Sequence, residues 1–185
     1  MARSRAPATA VPEPAPPPWL TVPTVALAER ILASHRGAFG TPLLAGLAAD
    51  ASPLQRAQAL FAAPLVVLAH DGQDPGAEPG PRLTYANRAA LGLWRRRWGE
   101  MVGMPSRLTA PPAERGSRGQ ALRRAQGSGA LQHYSGIRVD SGGRRFQITG
   151  ARLWTLHDGQ GRPCGQAARF SSWWWLPEPR PSSLG

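Results

Sequence analysis

The chain holds a single cysteine, Cys164, so no disulfide can close within it, which fits a reducing compartment. It also lacks any apolar stretch near the roughly 20 residues that a membrane helix needs; residues 59–69 come closest and are interrupted by Pro64. The N-terminus carries Arg3 and Arg5 and then prolines where a signal peptide requires an apolar run. These absences lead to the expectation of a soluble cytoplasmic protein with no membrane partner. Lysine is missing altogether, and all 22 basic residues are arginine. Such an Arg-only, Ala/Gly/Pro-rich composition reflects coding bias as readily as selection for charge. No P-loop, no His-Glu-x-x-His and no nucleophile elbow is present.

What is present suits one domain with tails. Hydrophobic residues make up 42% of the 185, enough for a packed core, while 21 Gly and 20 Pro lean toward loops. Charge is uneven: residues 1–80 carry 5 Arg against 6 acids, and residues 81–185 carry 17 Arg against 5 acids. A half that basic is drawn to polyanions at low salt. The nucleic-acid binding expected from it is weak, sequence-independent and steeply salt-dependent, and a solvated Arg-rich face explains the same residues.

Periodicity places the elements. Residues 1–22 read as an Ala/Pro-rich disordered arm. Val25, Ala28, Ile31, Leu32 and His35 recur at helical spacing, and a second helix starts at Ser52-Pro53 and stops at Pro64. Leu65 to Ala69 and Leu83-Thr84-Tyr85 read as short strands, with a Gly/Pro/Asp loop between them. Asn87 then caps a helix running through Leu91 and Trp94. A glycine-rich helix is expected around residues 113–126. Beyond it the odd-numbered residues from Leu131 to Val139 alternate with polar or small neighbours, Ser141-Gly142-Gly143 turns the chain, and Phe146 and Ile148 carry the alternation into the next strand. A second turn at residues 158–161 leads to a last strand from Cys164 toward Trp175. Two strands, a helical middle and a three-strand meander define an α+β fold with a single antiparallel sheet.

That order of elements resembles a PAS domain, and several segments resemble the MEKHLA domain family more narrowly. These are Thr84-Tyr85-Ala86-Asn87-Arg88-Ala89-Ala90-Leu91, Met104-Pro105-Ser106-Arg107-Leu108-Thr109, Tyr134-Ser135-Gly136-Ile137-Arg138-Val139, Gly143-Arg144-Arg145-Phe146, Trp154 and Cys164-Gly165-Gln166-Ala167-Ala168-Arg169-Phe170-Ser171. The resemblance covers about residues 25–175. It implies a PAS-like sheet with helices on one face and two N-terminal helices, of the stand-alone bacterial kind. The resulting organisation is an arm at 1–22, a helical extension at 23–63, a PAS-like core at 64–176 and a disordered tail at 177–185.

Known chemistries of this fold find little support in the residues. Light-oxygen-voltage domains carry a reactive cysteine where Met104, Pro105 and Ser106 stand here. Haem needs an axial histidine on the pocket helix, and His35, His70, His133 and His157 all fall elsewhere. His157 and Cys164 flank a turn, yet two ligands make no metal site. Asp140-Ser141-Gly142-Gly143 resembles a protease nucleophile segment but lies where the alternation demands a turn. The expectation is therefore a non-catalytic sensory or regulatory module without a cofactor, binding a small apolar ligand or a protein partner; the alternative is a basic accessory protein that binds nucleic acid nonspecifically. The module's expected pocket is lined by Val67, Tyr85, Leu91, Trp94, Ile137, Phe146, Trp154 and Ala168. Trp173 and Trp175 share one strand face and Trp174 takes the other; with Ile31 they are the expected homodimer interface.

Overall fold

The computed structural model describes residues 15–178. Of the expected arm, residues 1–14 lie outside the described part, as do residues 179–185 of the expected tail. Order begins before residue 23: Pro18–Leu20 form a 3₁₀ turn, and Trp19 stacks flat on Phe61 at 4.2 Å. Helix α1 spans Val22–Phe39 and ends on Gly40 in the left-handed conformation. Helix α2, Pro53–Ala62, opens with a reciprocal cap: Gln55 N–H donates to Ser52 Oγ, and Ser52 N–H donates to the Gln55 side chain.

The sheet follows. Strands β1 (Val66–His70) and β2 (Leu83–Ala86) precede the helical middle, α3 (Arg88–Trp94), α4 (Trp98–Met101) and α5 (Arg115–Ser128). Strands β3 (Ala130–Val139), β4 (Arg145–His157), β5 (Pro163–Phe170) and β6 (Ser172–Trp175) then form the meander. All pairs are antiparallel, in the order β2-β1-β5-β4-β3. Strand β6 continues beyond β5 along the same edge of β4, pairing Trp173 with Ile148 and Trp175 with Phe146.

One sheet thus separates two apolar layers. The inner layer, under α3 and α5, includes Val66, Leu83, Trp94, Leu122, Phe146, Ile148, Leu153 and Phe170. The outer layer joins α1 and α2 to Val67, Ala69, Tyr85, Trp154, Leu156 and Ala167. The N-terminal helices therefore cover in cis the sheet face that the helical middle leaves open.

Asn87 fastens the layers together. Its Oδ1 accepts from Val67 N–H at 3.0 Å and Ala90 N–H at 3.1 Å, and its Nδ2 donates to the carbonyls of Leu65 (2.7 Å), Ala63 (3.3 Å) and Leu60 (3.4 Å). The expected N-cap of α3 is also the clasp between α2 and β1.

At the far end of β1, the chain crosses β5 where no side chain fits. A Cβ on Gly165 would lie 2.5 Å from the His70 carbonyl oxygen, which is backbone and cannot rotate away. Gly165→Ala is expected to cost about 2 kcal/mol, as overpacking of a fixed neighbour does. A melting temperature unchanged from the parent chain would refute the close approach.

Candidate ligand cavity

Between the inner face of the sheet and helices α3 and α5 lies a cavity of about 50 Å³. Leu68, Leu153, Ala168 and Phe170 supply its apolar wall from β1, β4 and β5. Trp94, Thr109 and Leu122 close it from the helical side. Four side chains with polar ends complete the lining: His70 on β1, Arg118 on α5, and Tyr134 and Arg138 on β3. None of the lining residues is acidic. The space is small beside the roughly 300–1,000 Å³ of a drug-sized or cofactor pocket, yet it exceeds the ~10–15 Å³ that one water needs.

Each polar group has a determinable state. His70 Nδ1 accepts from Gly72 N–H at 3.1 Å, so the neutral ring carries its proton on Nε2, and that buried N–H has no partner. Burial first, and then the Arg118 charge, lower the His70 pKa to about 3 and keep the ring neutral. Arg138 is only 6% exposed; it donates to the Ile137 carbonyl at 2.8 Å and to the Tyr134 hydroxyl oxygen at 3.1 Å. Arg118 makes no ion pair among the described residues. Burial and the nearby Arg138 pull its guanidinium down to about 9, with Tyr134 opposing. Gly136 makes room for this cluster, because a Cβ there would lie 2.7 Å from the Tyr134 hydroxyl and 3.1 Å from an Arg138 nitrogen.

Of the residues expected to line a pocket, Trp94 and Ala168 stand on the cavity wall. Leu91 and Phe146 belong to the same inner layer but off the wall, Phe146 lying edge-on between Trp94 at 5.2 Å and Trp175 at 5.5 Å. Val67, Tyr85 and Trp154 lie across the sheet in the outer layer. Ile137 is on the opposite phase of β3 from Arg138 and pairs with Gln147.

Bulges displace Trp154 and Ile137. Gly150, with φ +63°, interrupts β4, so the inward set runs Phe146, Ile148 and then Ala151, Leu153; an unbroken alternation would have turned Trp154 inward. In β3 the register slips between Leu131 and Tyr134, with His133 at φ +58°, so Tyr134, Gly136 and Arg138 take the inner phase instead of the odd-numbered residues. Sequence reasoning missed His70, Arg118, Tyr134 and Arg138, since an arginine facing an apolar interior leaves no mark in a hydrophobic period.

The expected interface residues divide likewise. Ile31 is 0% exposed, spent on the sheet of its own chain, whereas Trp173 and Trp174 are 38% and 52% exposed. Arg144 lies 4.1 Å over the Trp175 ring. Among the described residues no helix is long and apolar enough to cross a membrane, and no cluster of three or more His, Cys, Asp or Glu is placed to hold a metal.

Solved structures define the class. An RNA-binding light-oxygen-voltage receptor matches with a TM-score of 0.55 at 21% identity, over 70% of this chain and 35% of that one. A PAS domain from a Colwellia psychrerythraea protein matches at 0.53 and 13% identity, over 62% of this chain and 91% of that one. A light-oxygen-voltage domain from a flavin-analogue study matches at 0.50 and 19%, over 70% and 87%. At these identities the likeness is one of fold: this is a PAS-like fold. More narrowly, the chain belongs to the MEKHLA domain family, whose model matches residues 25–175. No curated protein matches it. The chain spans about a third of the light-oxygen-voltage receptor's length, and RNA binding is a property of that receptor.

Proposed function

We propose that this chain is a non-catalytic sensory module whose input is a small molecule held in the inner cavity. The observation that carries the reading is the cavity itself: a space between sheet and helical middle with apolar walls and a few convergent polar groups. The output would travel through the sheet. On β1 and β5 neighbouring residues face opposite layers: Leu68 borders the cavity while Val67 supports α1 and α2. A ligand that binds one arrangement of β5 better than another shifts both layers, by as much as its differential affinity.

The test fills the cavity. With about 50 Å³ to occupy, Ala168→Val suits the space and the strand, whereas a tryptophan there would overpack it. Native mass spectrometry on freshly purified chain is expected to show a retained small molecule that Ala168→Val loses. A melting temperature within a few degrees of the parent would confirm that the variant is folded. Equal retention by both chains would place the ligand elsewhere and sink this reading.

A further inference from the structure

We propose that the molecule this cavity takes is a small carboxylate of about acetate to butyrate size, its oxygens received by Arg118, Arg138 and the Nε2–H of His70 and its carbon body by the apolar wall. This rests on the cavity's being the ligand site. The polar side chains among the lining residues are rich in donors and carry two positive charges: the guanidinium groups of Arg118 and Arg138, the unpartnered imidazole N–H of His70 and the Tyr134 hydroxyl. A guanidinium accepts nothing, and a neutral ring whose Nδ1 is already used offers only its N–H. Among the described residues no carboxylate pairs with either arginine.

Two like charges facing one low-dielectric space repel, and nothing in the lining offsets that cost. An anion between them does. Burial first, and then the Arg138 charge, hold the Arg118 pKa below its usual value. Carboxylate fits better than a spherical ion for two reasons. Arginine forks match a planar pair of oxygens; Thr109 and Trp94 donate to the Ser106 and Thr109 carbonyls, and Leu68, Ile148, Leu153, Ala168 and Phe170 offer only hydrocarbon. A phosphate or chloride would leave that hydrocarbon unfilled. The volume sets the length, since about 50 Å³ is a third of the ~150 Å³ cavity known to hold benzene.

Arginines that receive a ligand respond to removal differently from arginines that hold the fold. A structural arginine destabilises when removed. Here Arg118→Gln relieves repulsion, so the unliganded variant is expected to melt at or above the parent temperature and yet lose the ligand response. The experiment follows melting temperature and calorimetric binding of the full chain with sodium propionate, against sodium chloride, sodium phosphate and the uncharged isostere propionamide at matched ionic strength. Propionate is expected to raise the melting temperature saturably while the other three do not, and both Arg118→Gln and Arg138→Gln are expected to weaken propionate at least tenfold. An equal response to chloride or phosphate, or propionate affinity unchanged in both arginine variants, overturns the carboxylate. Propionamide binding that Ala168→Val abolishes would overturn it too while leaving the ligand cavity in place. No response to any of the four overturns it as well, and the mass-spectrometric test then decides separately whether the cavity takes anything.

Discussion

Asn87→Asp is expected to cost about 3–4 kcal/mol of stability, although it changes one atom. The side chain is 0% exposed, and its Nδ2 serves the carbonyls of Leu60, Ala63 and Leu65. An aspartate keeps the acceptor for Val67 and Ala90 but turns a second oxygen toward those three carbonyls. A buried group left unpaired costs about 1–3 kcal/mol, and a charged one more. Protonating the carboxyl to escape the charge would restore one donor of two. For a chain of this length the loss corresponds to a melting temperature lower by roughly 10 °C, out of a total stability of about 5–15 kcal/mol. Asn87→Ala is expected to cost about as much, because it strands β1 and the first turn of α3 as well. Equilibrium unfolding in urea measures both; an aspartate variant within 1 kcal/mol of the parent would show that Nδ2 does not clasp α2 to the sheet.

Acid is expected to destabilise this chain well above the range where its carboxylates titrate. His35 and His70 are both buried and neutral, one in each layer. His35 Nδ1 donates to the Thr41 carbonyl at 3.1 Å, so Nε2 carries the lone pair, buried and without a partner. Its ring meets Trp154 edge-on at 4.9 Å. Burial lowers its pKa to about 4; the Thr41 bond opposes this, and Arg152 and Arg169 add to the lowering. His70 is lowered to about 3. Since both folded-state values lie below the ordinary 6.5, the unfolded chain binds more protons between about pH 4 and 6.5. The contribution is complete above pH 6.5 and shrinks as pH falls through that window. At pH 5 each histidine has withdrawn about 2 kcal/mol. A melting temperature lower by roughly 10 °C at pH 5 than at pH 7.5 is the expected result. His35→Asn keeps a donor for Thr41 but cannot titrate, so it should remove about half of the slope. A flat profile between pH 5 and 7.5 in the parent chain would refute the buried neutral state of both rings.

The fold was far more legible than the site, and the reason is periodicity. Caps and stops such as Ser52, Asn87 and Pro64 act locally, and they mark α2 and α3 where the structure has them. The alternation of Phe146 and Ile148 likewise announces β4. Which face a residue takes is a different question, because one extra residue inverts everything beyond it. Gly150 does this to Trp154, and the slip near His133 does it to Ile137 and Arg138. Leu65 to Ala69 carries no alternation at all, since β1 is buried on both sides, and the run does not tell which layer Val67 faces. His70, Arg118 and Arg138 meet only through long-range pairing, so no window of sequence contains the cluster.

The helices that precede the first strand also bear on heredity. Were the PAS-like sheet a self-sufficient module, a gene fusion could carry residues 64–176 alone. Such a fragment would leave behind α1, α2 and Trp19, and with them the helical cover of Val67, Tyr85, Trp154, Leu156 and Ala167, keeping only Trp98 against Tyr85. It would expose a contiguous aromatic and aliphatic face of the kind that drives association. The stretch that can be copied from one protein into another and still fold is therefore the longer one, and residues 25–175, over which the family is recognised, retain nearly all of both helices.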